Sequence, residues 1–265
     1  MTITALVENT AKGDLKAVHG LSLYVETPGH RLLFDLGPDG TLLKNAGRLG
    51  IDLGRVDTVV ISHGHYDHGG ALAAFLEVNH TARVYVQRRA FAPHYSKALG
   101  LVKVSVGLDP RLADHPQVVL VDGERRIDGE LLLFTVEAAS RSPSPANKTL
   151  YGPEGPDDFA HEQNLLIFGE KNVLIMGCGH CGVVNILEKA APYRPALCVG
   201  GFHLWSPSSR RSAPEDLLAG IAGEMGRYDM TFCTCHCTGE PAFRYLAGRL
   251  KKRMRYLSGG ESVTV

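Results

Sequence analysis

Short apolar runs separated by turn residues recur along most of this chain, and stretches with helical spacing become regular only in its second half. Residues 2–7 alternate weakly and read as a first strand. Residues 21–26 and 31–34 flank Thr27-Pro28-Gly29-His30, which is a hairpin signal. A short helix is predicted over 42–49, a buried strand over 56–61 and a helix over 71–77. Further strands follow at 83–87, 118–121 and 131–136, with one helix expected between 87 and 117 that contains Phe91 and Tyr95. Residues 140–158 carry four prolines and read as a lid or binding loop. Strands at 164–168 and 173–176 then give way to alternation: helix 183–190, strand 196–199, helix 215–225, strand 230–233, helix 240–251 and an edge strand at 261–265.

Strands first, then strand and helix in turn, fit two layers of sheet covered by outer helices, and no linker divides the chain. We therefore expect one domain over 1–265, of α+β class, and find no internal repeat in the side-chain pattern.

The chemistry concentrates in Ser62-His63-Gly64-His65-Tyr66-Asp67-His68-Gly69-Gly70, directly after the apolar run 56–61. Imidazoles and a carboxylate so close together need polar partners if buried, and a divalent cation supplies those partners together. On a loop leaving a strand, side chains two apart converge. His63 and His65 can then share one metal while Asp67 and His68 serve a second. Imidazole nitrogen and carboxylate oxygen suit zinc, iron or manganese better than calcium or magnesium.

Two metals need ligands from elsewhere. His180 and His236 each follow a predicted strand, where a shared sheet edge would place them, and both are expected as ligands. His203 also follows one, with ligation and substrate contact both open. His161 is a weaker candidate, and His19, His30, His80, His94 and His115 are expected at the surface or in support of the ligands.

Composition narrows the partners. The 28 basic and 28 acidic residues balance, so no global field draws the chain to nucleic acid or an anionic membrane. The cluster Lys251-Lys252-Arg253 reads as a solvated helix face. With no signal-peptide pattern and no bilayer-spanning apolar run, a cytoplasmic location is expected. There the six cysteines should be thiols or ligands, not a disulfide framework. Cys178-Gly179-His180-Cys181 and Cys233-Thr234-Cys235-His236-Cys237 also have spacings compatible with a structural zinc or a redox pair. Small buried thiols are the default expectation, with Cys178 a candidate bridging ligand.

The His-x-His-x-Asp-His loop resembles the signature of the metallo-β-lactamase superfamily, whose members build one- or two-metal sites at the edge of an αββα sandwich. The likeness extends through Asn9-Thr10, His19-Gly20-Leu21-Ser22, Phe34-Asp35-Leu36-Gly37, Gly177-Cys178-Gly179-His180-Cys181-Gly182, Gly200-Gly201-Phe202-His203-Leu204 and His236-Cys237-Thr238-Gly239. In that order these look like the subgroup named for 7,8-dihydropterin-6-yl-methyl-4-(β-D-ribofuranosyl)aminobenzene 5'-phosphate synthase. Glu8 stands where the subgroup usually has Asp, and Gly179 where it has Ser.

The resemblance implies two divalent metals, zinc foremost, held by His63, His65, Asp67, His68, His180 and His236. It further implies Asp35 supporting the metal loop from a neighbouring strand, and Asn9 and His203 facing the substrate. The reaction implied is either hydrolysis of a phosphorylated small molecule or transfer with displacement of diphosphate, Asp67 holding the nucleophile or taking its proton. A nuclease of the same fold would be expected to carry an inserted domain or basic surface, and neither is visible. A non-catalytic metal-binding protein is the remaining rival.

Overall fold

The computed structural model describes residues 1–98, 102–136, 141–207 and 209–265. Two seven-stranded sheets pack face to face. The first runs from the edge strand Ser262–Thr264 through Thr2–Val7, Ser22–Glu26, Arg31–Phe34, Thr58–Ile61 and Arg83–Gln87 to Val118–Val121. The second runs from Arg125–Arg126 through Leu131–Phe134, Asn164–Ile167, Val173–Ile175, Leu197–Gly200 and Thr231–Thr234 to Met254–Tyr256. Each sheet begins with three antiparallel pairings. Each then continues with three parallel ones. This equivalence lives in the topology; the side-chain pattern conceals it.

The period-2 alternation of a strand explains the four layers. Val60 joins Ile3, Leu23, Val25 and Phe34 in the core shared with Leu133, Leu165, Ile175, Val199 and Cys233 of the other sheet. Its neighbours Val59 and Ile61 point the other way, onto Leu42 and Ala46 of the helix Thr41–Arg48 and Leu72 and Phe75 of Leu72–Val78. Likewise Leu166, Leu174, Cys198 and Phe232 pack outward against Val183–Ala190, Glu215–Gly226 and Glu240–Leu250. Strands buried on both faces read as continuous apolar runs, which is why 58–61 and 164–167 show little alternation.

The parallel strands matter most for the site. Their C-terminal ends deliver Asp35 after Arg31–Phe34 and the metal loop after Thr58–Ile61 in one sheet. In the other they deliver Cys178 and His180 after Val173–Ile175, His203 after Leu197–Gly200 and His236 after Thr231–Thr234.

Two expectations are corrected. The helix predicted to contain Phe91 and Tyr95 is absent: a 3₁₀ turn, Arg88–Phe91, stops before Pro93, which disfavours helical geometry in the residue ahead of it. Tyr95–Ala98 is instead a strand paired with Val102–Ser105, and Leu150–Tyr151 adds to it as a third. The stretch 140–158, read above as a lid or binding loop, is not irregular throughout, since it holds that short strand and the Ser144-capped turn Pro145–Thr149; its first residue, Ser140, lies outside the described residues. Among the described residues no helix is long and apolar enough to cross a membrane.

Candidate metal centre

The metal loop is fastened before it carries any ligand. Asp35 adopts φ 62°, a left-handed conformation that Asp tolerates better than most side chains. From there its carboxylate accepts the Ser62 amide (2.7 Å), the Ser62 hydroxyl (2.8 Å) and His68 Nδ1 (2.6 Å). Gly177 of the opposite sheet presses on the same point: a Cβ there would stand 2.1 Å from Ser62 Oγ. The loop then turns into the one-turn helix Tyr66–Gly69, which brings Asp67 and His68 inward.

Four imidazoles have their outer nitrogens engaged by acceptors. His63 Nδ1 meets Ser62 Oγ at 2.8 Å, and His68 Nδ1 meets Asp35. His180 Nδ1 meets Asn147 Oδ1 at 3.1 Å, and His236 Nδ1 meets Asn9 Oδ1 at 2.9 Å. The Asn147 and Asn9 amide nitrogens donate to the backbone carbonyls of His180 and His236, so their oxygens must face the rings. The Ser62 hydroxyl donates to Asp35, so it accepts from His63. Each ring therefore carries its proton on Nδ1 and turns a bare Nε2 inward.

Those inward nitrogens face one another. His63 Nε2 lies 3.3 Å from His180 Nε2, and His68 Nε2 lies 3.2 Å from His236 Nε2. Two buried lone pairs at that range repel unless a cation, or a second proton on one of the rings, stands between them. Two imidazole nitrogens on tetrahedral zinc, at bonds of about 2.0–2.1 Å, stand roughly 3.3 Å apart. The donor set fits divalent cations.

Two half-sites emerge. His63, His65 and His180 bring donor atoms within 4.8 Å of one another. Asp67 Oδ2 lies 3.3 Å from His236 Nε2 and 3.7 Å from His68 Nε2, completing the other. Cys178 Sγ is 3.2 Å from His68 Nε2 and also groups with His63, placing it between the halves. His65 Nε2 is buried without a hydrogen-bond partner, and so are both ring nitrogens of His203, whose backbone sits at φ 47°. His203 groups with Cys178 and His180.

Electrostatics separate the halves. Burial, then the neighbouring imidazoles, hold His63 and His180 well below the ordinary imidazole value; His65 is lowered likewise, burial leading. Burial also opposes charge on His68, but Asp35 and Asp67 outweigh it and push that imidazole up to about 9. Burial would raise Asp67, yet His68, His19 and His236 hold it well below the usual carboxylate range. Without a cation, a proton on His68 takes its place.

Several site residues escaped the sequence reading. Glu8, buried, accepts the His236 amide at 2.6 Å and the Tyr256 hydroxyl at 2.8 Å. Glu162, buried, accepts the amides of His180 (2.7 Å) and Cys181 (2.8 Å); burial raises it despite those bonds. Each ligand loop is thus pinned through its backbone by a buried acid. His19, one of the histidines set aside, reaches Asp67 Oδ2 at 3.3 Å, and that contact raises its pKa. Asn9, expected to face substrate, is turned onto His236 instead. His161 does not join either half-site and bonds Gly64 and Asp157. The cysteines are free and buried, with Cys198 and Cys233 in the sheet cores.

No lysine or arginine among the described residues pairs with Asp35, Asp67, Glu8 or Glu162, whose partners are histidines, backbone amides and hydroxyls. The centre opens into a cavity of ≈ 240 Å³ lined by His19, His65, Asp67, His203 and the less polar Tyr66 and Leu150.

Residues 15–160 match the family model described as the metallo-beta-lactamase superfamily. The chain is 27% identical over 256 residues to the uncharacterized protein MJ0448 of Methanocaldococcus jannaschii, covering 92% of this chain and 93% of that protein. It is 25% identical over 268 residues to the 7,8-dihydropterin-6-methyl-4-(beta-D-ribofuranosyl)-aminobenzene-5'-phosphate synthase of the same organism, covering 92% and 89%. Among solved structures, Tm1679, a metal-dependent hydrolase of the beta-lactamase superfamily, superposes with a TM-score of 0.84 at 28% identity, covering 100% of this chain and 99% of the other.

Proposed function

Because the chain belongs to the metallo-β-lactamase superfamily, we propose that it is an enzyme working through two divalent cations on a phosphorylated small molecule. The observation that carries this is the pair of facing Nε2 contacts, His63–His180 and His68–His236, with all four Nδ1 protons engaged elsewhere. His63, His65 and His180 would hold one cation, and Asp67, His68 and His236 the other, with Cys178 beside both. Zinc suits the nitrogen-rich half best, and iron or manganese are compatible with the carboxylate half.

When bound, such cations lower the pKa of water and offset charge on phosphoryl or diphosphate oxygens. The chain's own groups do the rest. Asp67, ionised and facing the cavity, can hold the attacking group in place by accepting its hydrogen bond. His19, half-exposed and bonded to that carboxylate, can relay a proton to solvent or contact an anionic substrate. His203, whose ring nitrogens lack partners, is free to hydrogen-bond substrate.

Hydrolysis is favoured by the likeness to Tm1679, and a transfer displacing diphosphate by the likeness to the synthase. Elemental analysis of the purified protein, beside assays on phosphoesters and on a dihydropterin diphosphate with an arylamine acceptor, separates them. Two equivalents of metal and turnover on one class are expected. A protein that takes up no divalent metal would sink the proposal.

A further inference from the structure

We infer that Asn147 and Asp157, both on the stretch 141–158, are positioning residues for the His63–His65–His180 half of the centre and not for the other half. The inference rests on the two-cation reading above. Asn147 holds His180 at both ends, accepting from Nδ1 at 3.1 Å and donating to its carbonyl at 2.9 Å. Asp157 acts on the metal loop through one intermediary. Its Oδ2 lies 3.2 Å from His161 Nε2 and 3.0 Å from His94 Nδ1, while Oδ1 accepts the Phe159 amide at 2.8 Å. His161 Nδ1 in turn accepts the Gly64 amide at 2.9 Å.

Gly64 lies between the two ligands His63 and His65, so that amide sets both. It has no slack: a Cβ on Gly64 would stand 2.5 Å from the Ala90 carbonyl and 2.7 Å from His94 Nε2.

The donor atoms of His65, His94, Asp157 and His161 gather within 4.8 Å, which taken alone resembles a third cation site. The tautomer of His161 decides otherwise. Because Nδ1 accepts from an amide, the proton of the neutral ring is on Nε2, and that nitrogen donates to Asp157 and has no lone pair for a metal. His94 Nε2 likewise lies 3.2 Å from the Arg89 carbonyl, an acceptor that calls for a proton there. The cluster is a clamp.

The other half-site draws its support from Asp35, Asn9 and Glu8. The stretch that supports the first half also lines the cavity with Ala146, Thr149 and Leu150, and Ser144 bonds the His203 carbonyl.

Zinc reconstitution followed by stepwise chelation tests this in the wild type, N147L, N147D and D157A. The wild type should hold two equivalents. In N147L and D157A one equivalent should weaken by about 10–100-fold, the usual cost of losing a ligand's hydrogen-bond partner, while the other stays at its wild-type affinity and reports an intact fold. N147D keeps an acceptor for His180 Nδ1 but loses the donor to its carbonyl, and should weaken that equivalent less than N147L does. In a D67A background the surviving equivalent should be the one that N147L weakens. Equal weakening of both equivalents, or of neither, overturns the inference; a wild type without metal overturns the two-cation reading instead.

Discussion

The two halves of the centre use the same imidazole chemistry in opposite electrostatic settings. His63, His65 and His180 form a neutral, all-nitrogen set whose members burial keeps deprotonated. Asp67, His68 and His236 form a set with an ionised carboxylate, where Asp35 and Asp67 make His68 a strong base. The first half has paid no proton for readiness; the second holds one that a metal must displace. One loop serves both because His63 and His65, two apart, converge ahead of the Tyr66–Gly69 turn, while Asp67 and His68 are carried on that turn.

Removing the carboxylate tests the contrast most severely. Asp67→Ala should release the second equivalent of metal and cut turnover by at least about 10²-fold, leaving the first equivalent and the far-ultraviolet spectrum unchanged. Loss of both equivalents together would mean the halves are not separable.

Acidification should discriminate next. His68 is raised to about 9, so below that pH each cation entering the second half must expel its proton. Affinity there should fall about tenfold per pH unit from pH 9 towards 7. The first half, with imidazoles lowered below their ordinary value, should stay flat over the same window. Parallel slopes measured by competition with a metal indicator would refute this assignment of charge.

Gly177→Ala perturbs the point where both sheets press on Ser62. Its Cβ would fall 2.1 Å from Ser62 Oγ and 3.3 Å from Asp35 Oδ2. Overpacking of this kind costs about 1–3 kcal/mol, readable by urea unfolding, and should loosen both halves, the first through Ser62 and His63 and the second through Asp35 and His68. The smallest effect belongs to Cys181→Ala. That thiol contacts the Phe159 carbonyl at 3.7 Å and packs with Leu150 and Phe159, so metal content should not change. A proportional loss of metal would reveal a separate cysteine site.

How far the sequence could be read depended on the span of each contact. His63, His65, Asp67 and His68 lie side by side, so their convergence needs only a strand followed by a tight turn. His180 and His236 were legible at one remove, as histidines at the ends of apolar strands. Asn9, Glu8, Glu162 and Asn147 were misread or missed because each bonds a backbone amide or an outer ring nitrogen far away in the chain. No local pattern marks such a partner; only Glu8-Asn9-Thr10 and His161-Glu162, polar residues beside strands buried on both faces, hint at one. The helix misplaced over Tyr95 shows the converse, since Pro93 was a local signal that helical spacing around it obscured.

By itself, then, the sequence determined most strands of the two large sheets, the outer helices, the metal loop and the case for cations, because period, turn residues and ligand chemistry are local properties. Tertiary structure decided which nitrogen of each imidazole points inward, which acids pin which loops, and that the two halves differ in charge. Those outcomes depend on hydrogen bonds and low-dielectric burial between residues brought together only when the two sheets pack, and their energies have no counterpart in an isolated segment.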